Sequence, residues 1–362
     1  MLHNQSKIKV GIIGCGGIAF KKHMPTLKKQ VDVEMIAFCD VVSERAEKAA
    51  NTFGAEGALC YTDYRDLLAD PTIDAVHICT PNRSHSAITV DALYAGKHVM
   101  CEKPMAANAE EAKMMVDAAK KTGKVLTIGY QSRQRSDSLY MKEEAEKGTF
   151  GDIYYAEATA LRRRGVPMWG VFLDEQEQGG GCLIDIGTHA LDLTLWIMNN
   201  YKPKYCVGTT YKKLFDELKD NLAKDGRTPD EVQVEDAAFG FVVMENGATV
   251  VLRSAWALNV LDVREAVTSV CGTKAGGDMA GNVRINAVCD GRQRVTEVQT
   301  SVCDATLYGG TDAYTREARL FLDAIRYGTA PSTLPEEAYC VTRILEGIYT
   351  SAKTGEIYRF DV

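Results

Sequence analysis

Three groups of residues could do chemistry, judged by type and spacing. Gly14, Gly16 and Ala19 form G-x-G-x-x-A, with Gly17 and Ile18 inside the motif. Gly14 suits a tight strand-to-helix turn, Gly16 has no side chain to hold off a pyrophosphate, and Ala19 lets a helix lie close on a sheet. The N-terminus of that helix then meets phosphate. Asp40 ends the next apolar run, VEMIAFC. Its carboxylate can accept from both hydroxyls of a ribose and repels a 2′-phosphate, which favours NAD over NADP; Arg45 weakens that preference.

The second group is Glu102-Lys103-Pro104, directly after the run HVMC, with Glu102 and Lys103 expected to lie against the cofactor as well. An ammonium at the carboxyl edge of a parallel sheet can hydrogen-bond a substrate oxygen and stabilise a developing alkoxide. The plainer alternative is a solvated lysine before a helix. The third group is Asp185 and His189 in LIDIGTHALDL. A spacing of i, i+4 puts them on one helix face. A carboxylate beside an imidazole raises its proton affinity and fixes its orientation, which suits a general base for an alcohol. A satisfied core histidine is the alternative. Gly179-Gly180-Gly181 precede this pair and are expected to let the backbone turn closely against a ligand. Thr80-Pro81-Asn82, after AVHIC, and His85 beyond them are expected to line a cofactor crevice. The six histidines are scattered, and neither H-E-x-x-H nor C-x-x-C occurs, so no metal site is expected.

The elements that position these groups alternate. Short apolar runs at 7–13, 33–39, 75–79, 98–101 and 125–130 are separated by helical patterns from after GCGGIA to about 29, and at about 43–53, 84–95 and 108–122. Such alternation predicts a parallel sheet covered by helices on both faces. After Tyr130 the pattern changes. Strand-like stretches at 152–162, 205–211, 236–244, 249–256, 264–271, 283–289 and 295–299 are separated in several places by turn residues such as Glu245-Asn246-Gly247. Helices are expected at 138–146, 183–198, 314–327 and 336–351, and a polar surface insertion at 218–231. The fold class is α/β: an N-terminal doubly wound parallel sheet at 1–126, then an α+β domain at 127–362 with a large, mainly antiparallel open sheet. The final helices are expected to pack back on the first domain.

Composition narrows the function. The 362 residues hold 42 Lys plus Arg and 49 Asp plus Glu, a net charge of −7. No basic excess offsets phosphate, which argues against nucleic acid and anionic membrane as partners. The 11 cysteines, an odd number mostly within apolar runs, read as free thiols in a reducing compartment. No N-terminal apolar stretch of signal-peptide length is present, and no run is expected to reach membrane-spanning length. A cytoplasmic protein is expected.

Together the glycine motif at 14–19, Glu102-Lys103-Pro104 and Asp185 to His189 with its preceding glycines resemble the glucose-fructose oxidoreductase, inositol dehydrogenase and rhizopine-catabolism family, Gfo/Idh/MocA. The resemblance covers essentially the whole chain. It implies a Rossmann domain followed by a sheet domain that carries the substrate pocket, and a homodimer or homotetramer. It implies that Lys103, Asp185 and His189 are catalytic, with His189 the proton acceptor. The segment Arg162–Gly170 is similar to that of members oxidising sugar or glycoside hydroxyls, glucoside 3-dehydrogenases among them. Arginines such as Arg163 and Arg164 can donate to several oxygens, and the Trp169 face can stack on a pyranose. Arg133, Trp256 and Tyr314 are further pocket candidates. The expected activity is NAD-dependent oxidation of a sugar hydroxyl, C3 of a glucose-like ring foremost. The alternatives are an inositol 2-dehydrogenase, a glycosidase working through a transient 3-keto sugar, and a cofactor-binding regulator without catalysis.

Overall fold

The computed structural model describes residues 6–219, 228–279, 281–300 and 312–361. Residues 1–5 of the polar N-terminus and 220–227 of the polar insertion read at 218–231 lie outside the described residues. The chain forms two compact units: Met1–Gln134 with Asp312–Tyr339, and Arg135–Thr311 with Cys340–Val362.

The first unit contains a six-stranded parallel sheet. Its strands are β1 (Ile8–Ile13), β2 (Val33–Cys39), β3 (Leu59–Tyr61), β4 (Ala75–Ile78), β5 (His98–Glu102) and β6 (Leu126–Gly129). Their order is β3-β2-β1-β4-β5-β6, so the winding reverses between β1 and β4, where doubly wound sheets bind their ligands. β6 pairs with β5 from Val99↔Leu126 to Glu102↔Gly129, which carries the first unit beyond residue 126. The helix Ala109–Thr122 shows why the intervening segments fold as they do. Asn108 caps its first turn by accepting from the Glu111 N–H at 2.9 Å, and Gly123 ends it at φ 64°. Val10, Ile12 and Phe38 from the sheet pack with Met24 and Leu27, and with Phe321 and Leu322 of the helix Ala313–Tyr327.

The second unit is built on a nine-stranded sheet: β7 (Ile153–Leu161), β8 (Pro203–Tyr211), β9 (Ala237–Met244), β10 (Thr249–Ala255), β11 (Arg264–Gly272), β12 (Ala275–Asp278), β13 (Val283–Cys289), β14 (Arg292–Val298) and β15 (Tyr358–Arg359). Its order is β14-β13-β12-β11-β7-β10-β9-β8-β15. All its pairings are antiparallel except β7 with β10. β12 (AGGD) and the two-residue β15 carry too little apolar alternation to be read from sequence.

The segment Glu175–Met198 corrects the expectation that no run reaches membrane-spanning length. By length and composition it passes, but 78% of its apolar window is buried within the protein, as in a core helix. It also begins differently from the regular helix expected at 183–198. Leu183–Gly187 is a π-helical turn, and the α-helix proper is Thr188–Met198. A Cβ on Gly187 would lie 2.9 Å from Ser254 Oγ, so glycine allows this wider turn to lie directly on β10.

Candidate active site

In the first unit the chemistry-bearing residues gather at the carboxyl ends of β1, β2, β4 and β5. Gly14 has φ +88°, and a Cβ there would lie 2.7 Å from the Cys79 backbone, so the fold itself requires glycine. Gly16 and Gly17 differ: a Cβ on either meets no atom within 4 Å. Packing does not require them to be bare. Their bareness keeps clear the approach to the helical segment that begins at Ala19, which is itself fully buried. This is the surface a dinucleotide pyrophosphate needs, and the residues fit that group. Ile18 is 38% exposed beside it. The Asp40 carboxylate accepts from the Cys15 N–H at 2.9 Å and the Val42 N–H at 3.0 Å, while Arg45 Nη1 stands 3.9 Å away. Asp40 thus ties the glycine turn to the end of β2.

Lys103 lies on a turn braced by buried groups. The Lys103–Pro104 peptide is cis. His85 is 1% exposed; Nδ1 lies 2.8 Å from the Pro104 carbonyl and Nε2 2.9 Å from the Thr80 carbonyl. Expected to line a cofactor crevice, His85 instead directs both ring nitrogens to backbone carbonyls and joins the Thr80 turn to the Lys103 turn. Burial is the main influence on its ring, and pushes it below the usual histidine range. Asn82 is also buried; Thr80 is half-buried and Pro81 exposed. Glu102 is buried, with one oxygen 2.7 Å from His23 Nε2 and the other accepting from the Lys103 N–H at 3.1 Å.

In the second unit Asp185 lies in the π-turn and His189 in the helix after it. Across residues 181–195 these two alone keep appreciable exposed surface. Over that stretch only a carboxylate and an imidazole reach the surface, groups that can carry out proton chemistry. Trp256 changes role. Expected only as a further pocket candidate, it is fully buried, and its indole N–H donates to Asp185 Oδ2 at 2.9 Å. It orients the carboxylate.

Two of the three glycines before this turn also differ from expectation. A Cβ on Gly180 would fall 2.2 Å from Tyr349 Oη, and one on Gly181 2.2 Å from the Glu235 carbonyl. Their close approach is to the protein's own groups. Glu235 is buried and accepts from the N–H groups of Gly181 (2.8 Å) and Leu183 (2.9 Å) and from Tyr349 Oη (2.8 Å). That carboxylate anchors the start of the Asp185 turn. Sequence reading missed Glu235 and Tyr349, because neither belongs to a spaced motif.

Other expected pocket residues have partners of their own. Arg163 donates to the carbonyls of Val260 (3.0 Å) and Leu261 (2.7 Å). Arg164 donates to Glu217 (2.5 Å) and Asn259 (2.8 Å). Trp169 is 67% exposed and meets Phe172 edge-on, which leaves a face available for stacking. Tyr314 lies under Lys22 Nζ, 4.8 Å from its ring centroid, and burial pushes its hydroxyl up to about 12.

Arg133 is fully buried rather than presented in an open pocket. It donates to Glu337 at 2.6 Å and to the Ser332 carbonyl at 3.1 Å. Removing one partner of a buried pair strands the other, so Arg133→Ala should destabilise the protein by about 3–5 kcal/mol in denaturant unfolding. Unchanged stability with a weakened sugar affinity would instead return Arg133 to the pocket.

Comparison with known proteins agrees with this architecture. Residues 8–130 match the model of an oxidoreductase family with an NAD-binding Rossmann fold, and residues 138–276 match the GFO/IDH/MocA C-terminal domain. The chain is 33% identical to the D-glucoside 3-dehydrogenase of Escherichia coli K12, over 97% of each chain. It is 29% identical to the myo-inositol 2-dehydrogenase of Thermotoga maritima, over 91% of this chain and 92% of that one. Among solved structures, a levoglucosan dehydrogenase with NADH and L-sorbose superposes with a TM-score of 0.84 at 24% identity, over 99% of this chain and all of that one, a likeness of fold.

Proposed function

Because the chain belongs to the GFO/IDH/MocA oxidoreductase family, we propose that it oxidises the C3 hydroxyl of a glucose-like pyranoside to the 3-keto sugar, with NAD as the acceptor. Its broader class is that of an NAD-dependent oxidoreductase acting on sugar CH–OH groups. The observation that carries the C3 assignment is the full-length identity to a D-glucoside 3-dehydrogenase.

NAD, when bound, accepts the hydride released from the carbinol carbon. The chain's own residues do the rest. His189 takes the hydroxyl proton. Asp185, held by the Trp256 indole, supplies the negative charge that stabilises an imidazolium and orients the ring. Lys103 donates to the substrate oxygen and stabilises charge as the proton leaves. Gly14 to Ala19 and Asp40 bind the dinucleotide, and Trp169 offers an aromatic face to the ring. The exposed Trp169 supports a pyranoside over an open-chain substrate.

The identity to an inositol dehydrogenase favours a cyclic polyol as the second reading. A panel of glucosides, free sugars and inositols mixed with NAD tests the assignment. Net NADH with a glucoside, and a 3-keto product by NMR, is the expected result. Turnover of inositol alone transfers the assignment to the polyol. Aglycone release without net NADH indicates a redox-neutral glycosidase, and NAD binding without any turnover a regulator.

Asp40→Ala should weaken NAD binding by about tenfold or more, the scale of lost hydrogen bonds to a charged group, and should narrow the preference over NADP. Direct titration showing both affinities unchanged removes Asp40 from the cofactor site.

We further propose a homodimer or homotetramer assembled through the nine-stranded sheet. Val207 and Phe241 are paired across β8 and β9, and are 40% and 47% exposed. Covering such a row is a common reason for subunits to pair. Light scattering should give a multiple of 39.7 kDa, and a particle of 39.7 kDa at micromolar concentration contradicts it. The free thiols and net negative charge support a cytoplasmic enzyme without nucleic-acid or membrane partners.

A further inference from the structure

Three buried titratable side chains from three elements form one chain beside Lys103. His23 ends the π-helical turn Ala19–His23 that follows the glycine motif, His77 lies on β4, and Glu102 ends β5. His23 Nε2 is 2.7 Å from Glu102 Oε1, and His23 Nδ1 is 3.0 Å from His77 Nδ1. The other Glu102 oxygen accepts from the Lys103 N–H. All three residues are less than one-tenth exposed.

Such groups are costly within a sheet core. The other residues of β4, Ala75, Val76 and Ile78, are apolar and fully buried. His77 Nε2 is buried with no hydrogen-bond partner among the described residues, an added cost. Packing alone gives no reason to keep the chain.

Burial pushes His23 down, but Cys79 and Glu102 outweigh this and hold it well above the usual histidine range. Burial, together with the charge on His23, holds His77 well below that range. The two imidazoles share one hydrogen bond between their Nδ1 atoms, and His23 Nε2 meets the Glu102 carboxylate. The groups acting on this pair are Glu102 from β5 and Cys79 from the end of β4; from the helix Ala313–Tyr327, Tyr314 is held up by burial and by Glu102 and Glu317. His85 holds Pro104 on the other flank of the lysine.

We propose that His23 and Glu102, backed by His77, are positioning residues for Lys103: they fix the carboxylate that receives its backbone amide and so set where its ammonium is presented. The inference rests on the reading that Lys103 acts on the substrate oxygen. It also links the helical segment after the glycine motif to the lysine through His23, which lies outside both motifs.

The test uses the full chain carrying His23→Leu, Glu102→Gln or His23→Gln. Leucine removes both ring nitrogens. The isosteric amide at 102 can offer only one acceptor atom, so one of its two contacts is lost. Glutamine at 23 keeps a donor for Glu102. A small displacement of a catalytic group costs roughly ten- to a hundredfold in rate, so the first two variants should lose that much kcat on methyl β-D-glucopyranoside, keep NAD affinity within about twofold, and recover most of the loss in His23→Gln.

A second readout does not depend on turnover: the NMR resonance of 13C-dimethylated Lys103, assigned by its loss in Lys103→Arg. It should shift in both damaging variants. If the wild type oxidises no glucoside, the function proposed above fails and this resonance still decides the positioning role. Should His23→Leu not fold, the volume-conserving Glu102→Gln decides it. A folded damaging variant with an unmoved Lys103 resonance overturns the inference, as does parallel loss of kcat and NAD affinity.

Discussion

His189→Ala lowers kcat by roughly 10²–10⁴, the usual contribution of a positioned general base, and leaves NAD affinity at the wild-type level. The two effects separate because His189 belongs to the second unit, while the glycine motif and Asp40 belong to the first. The imidazole must be neutral to take a proton. In the wild type kcat/KM should therefore rise with pH as the base deprotonates. His189→Ala should lose that rising limb along with the rate. Stopped-flow reduction of NAD across pH checks both. A variant with wild-type rate and wild-type pH dependence makes His189 a structural histidine and Lys103 the leading base.

Lys103→Ala should cost roughly 10²–10³ in kcat, the scale of removing one preorganised donor to a developing oxyanion. Its signature differs from that of the histidine variant. The base is intact, so the rising pH limb persists at reduced amplitude. Lys103→Arg keeps the positive charge but spreads it over a planar fork, and should recover only part of the rate. The same pH series reads this out. If Lys103→Ala removes the rising limb while His189→Ala keeps it, the two roles are exchanged.

Much of the site is legible in sequence because two of its motifs are local. Gly14 to Ala19 needs only a strand before it and a helix after it, and the structure supplies both. Asp185 and His189 lie four residues apart on one helical segment, so a single periodicity exposes them. Partners that support these motifs come from distant positions. Trp256 reaches Asp185 across 71 residues, and Glu235 reaches Gly181 across 54. No spacing rule predicts such contacts, and both residues look like ordinary strand or loop positions.

The arginines are harder to read for a related reason. Arg133, Arg163 and Arg164 have the side chains a sugar pocket uses, but a guanidinium serves equally well to tie loops and helices together. Sequence shows the donors and not the acceptors that engage them. The π-turn at Leu183–Gly187 was illegible because its apolar pattern also fits a regular helix; the close contact between Gly187 and Ser254 distinguishes them.

Hydride transfer from a labelled sugar tests the central assignment most directly. Methyl β-D-glucopyranoside carrying deuterium only at C3 is mixed with the enzyme and NAD, and the reduced cofactor is weighed by mass spectrometry. Oxidation at C3 predicts NADH one mass unit heavier, together with a slower turnover than for the unlabelled sugar. Unlabelled NADH formed at the unlabelled rate contradicts the account, because the hydride would then come from another carbon.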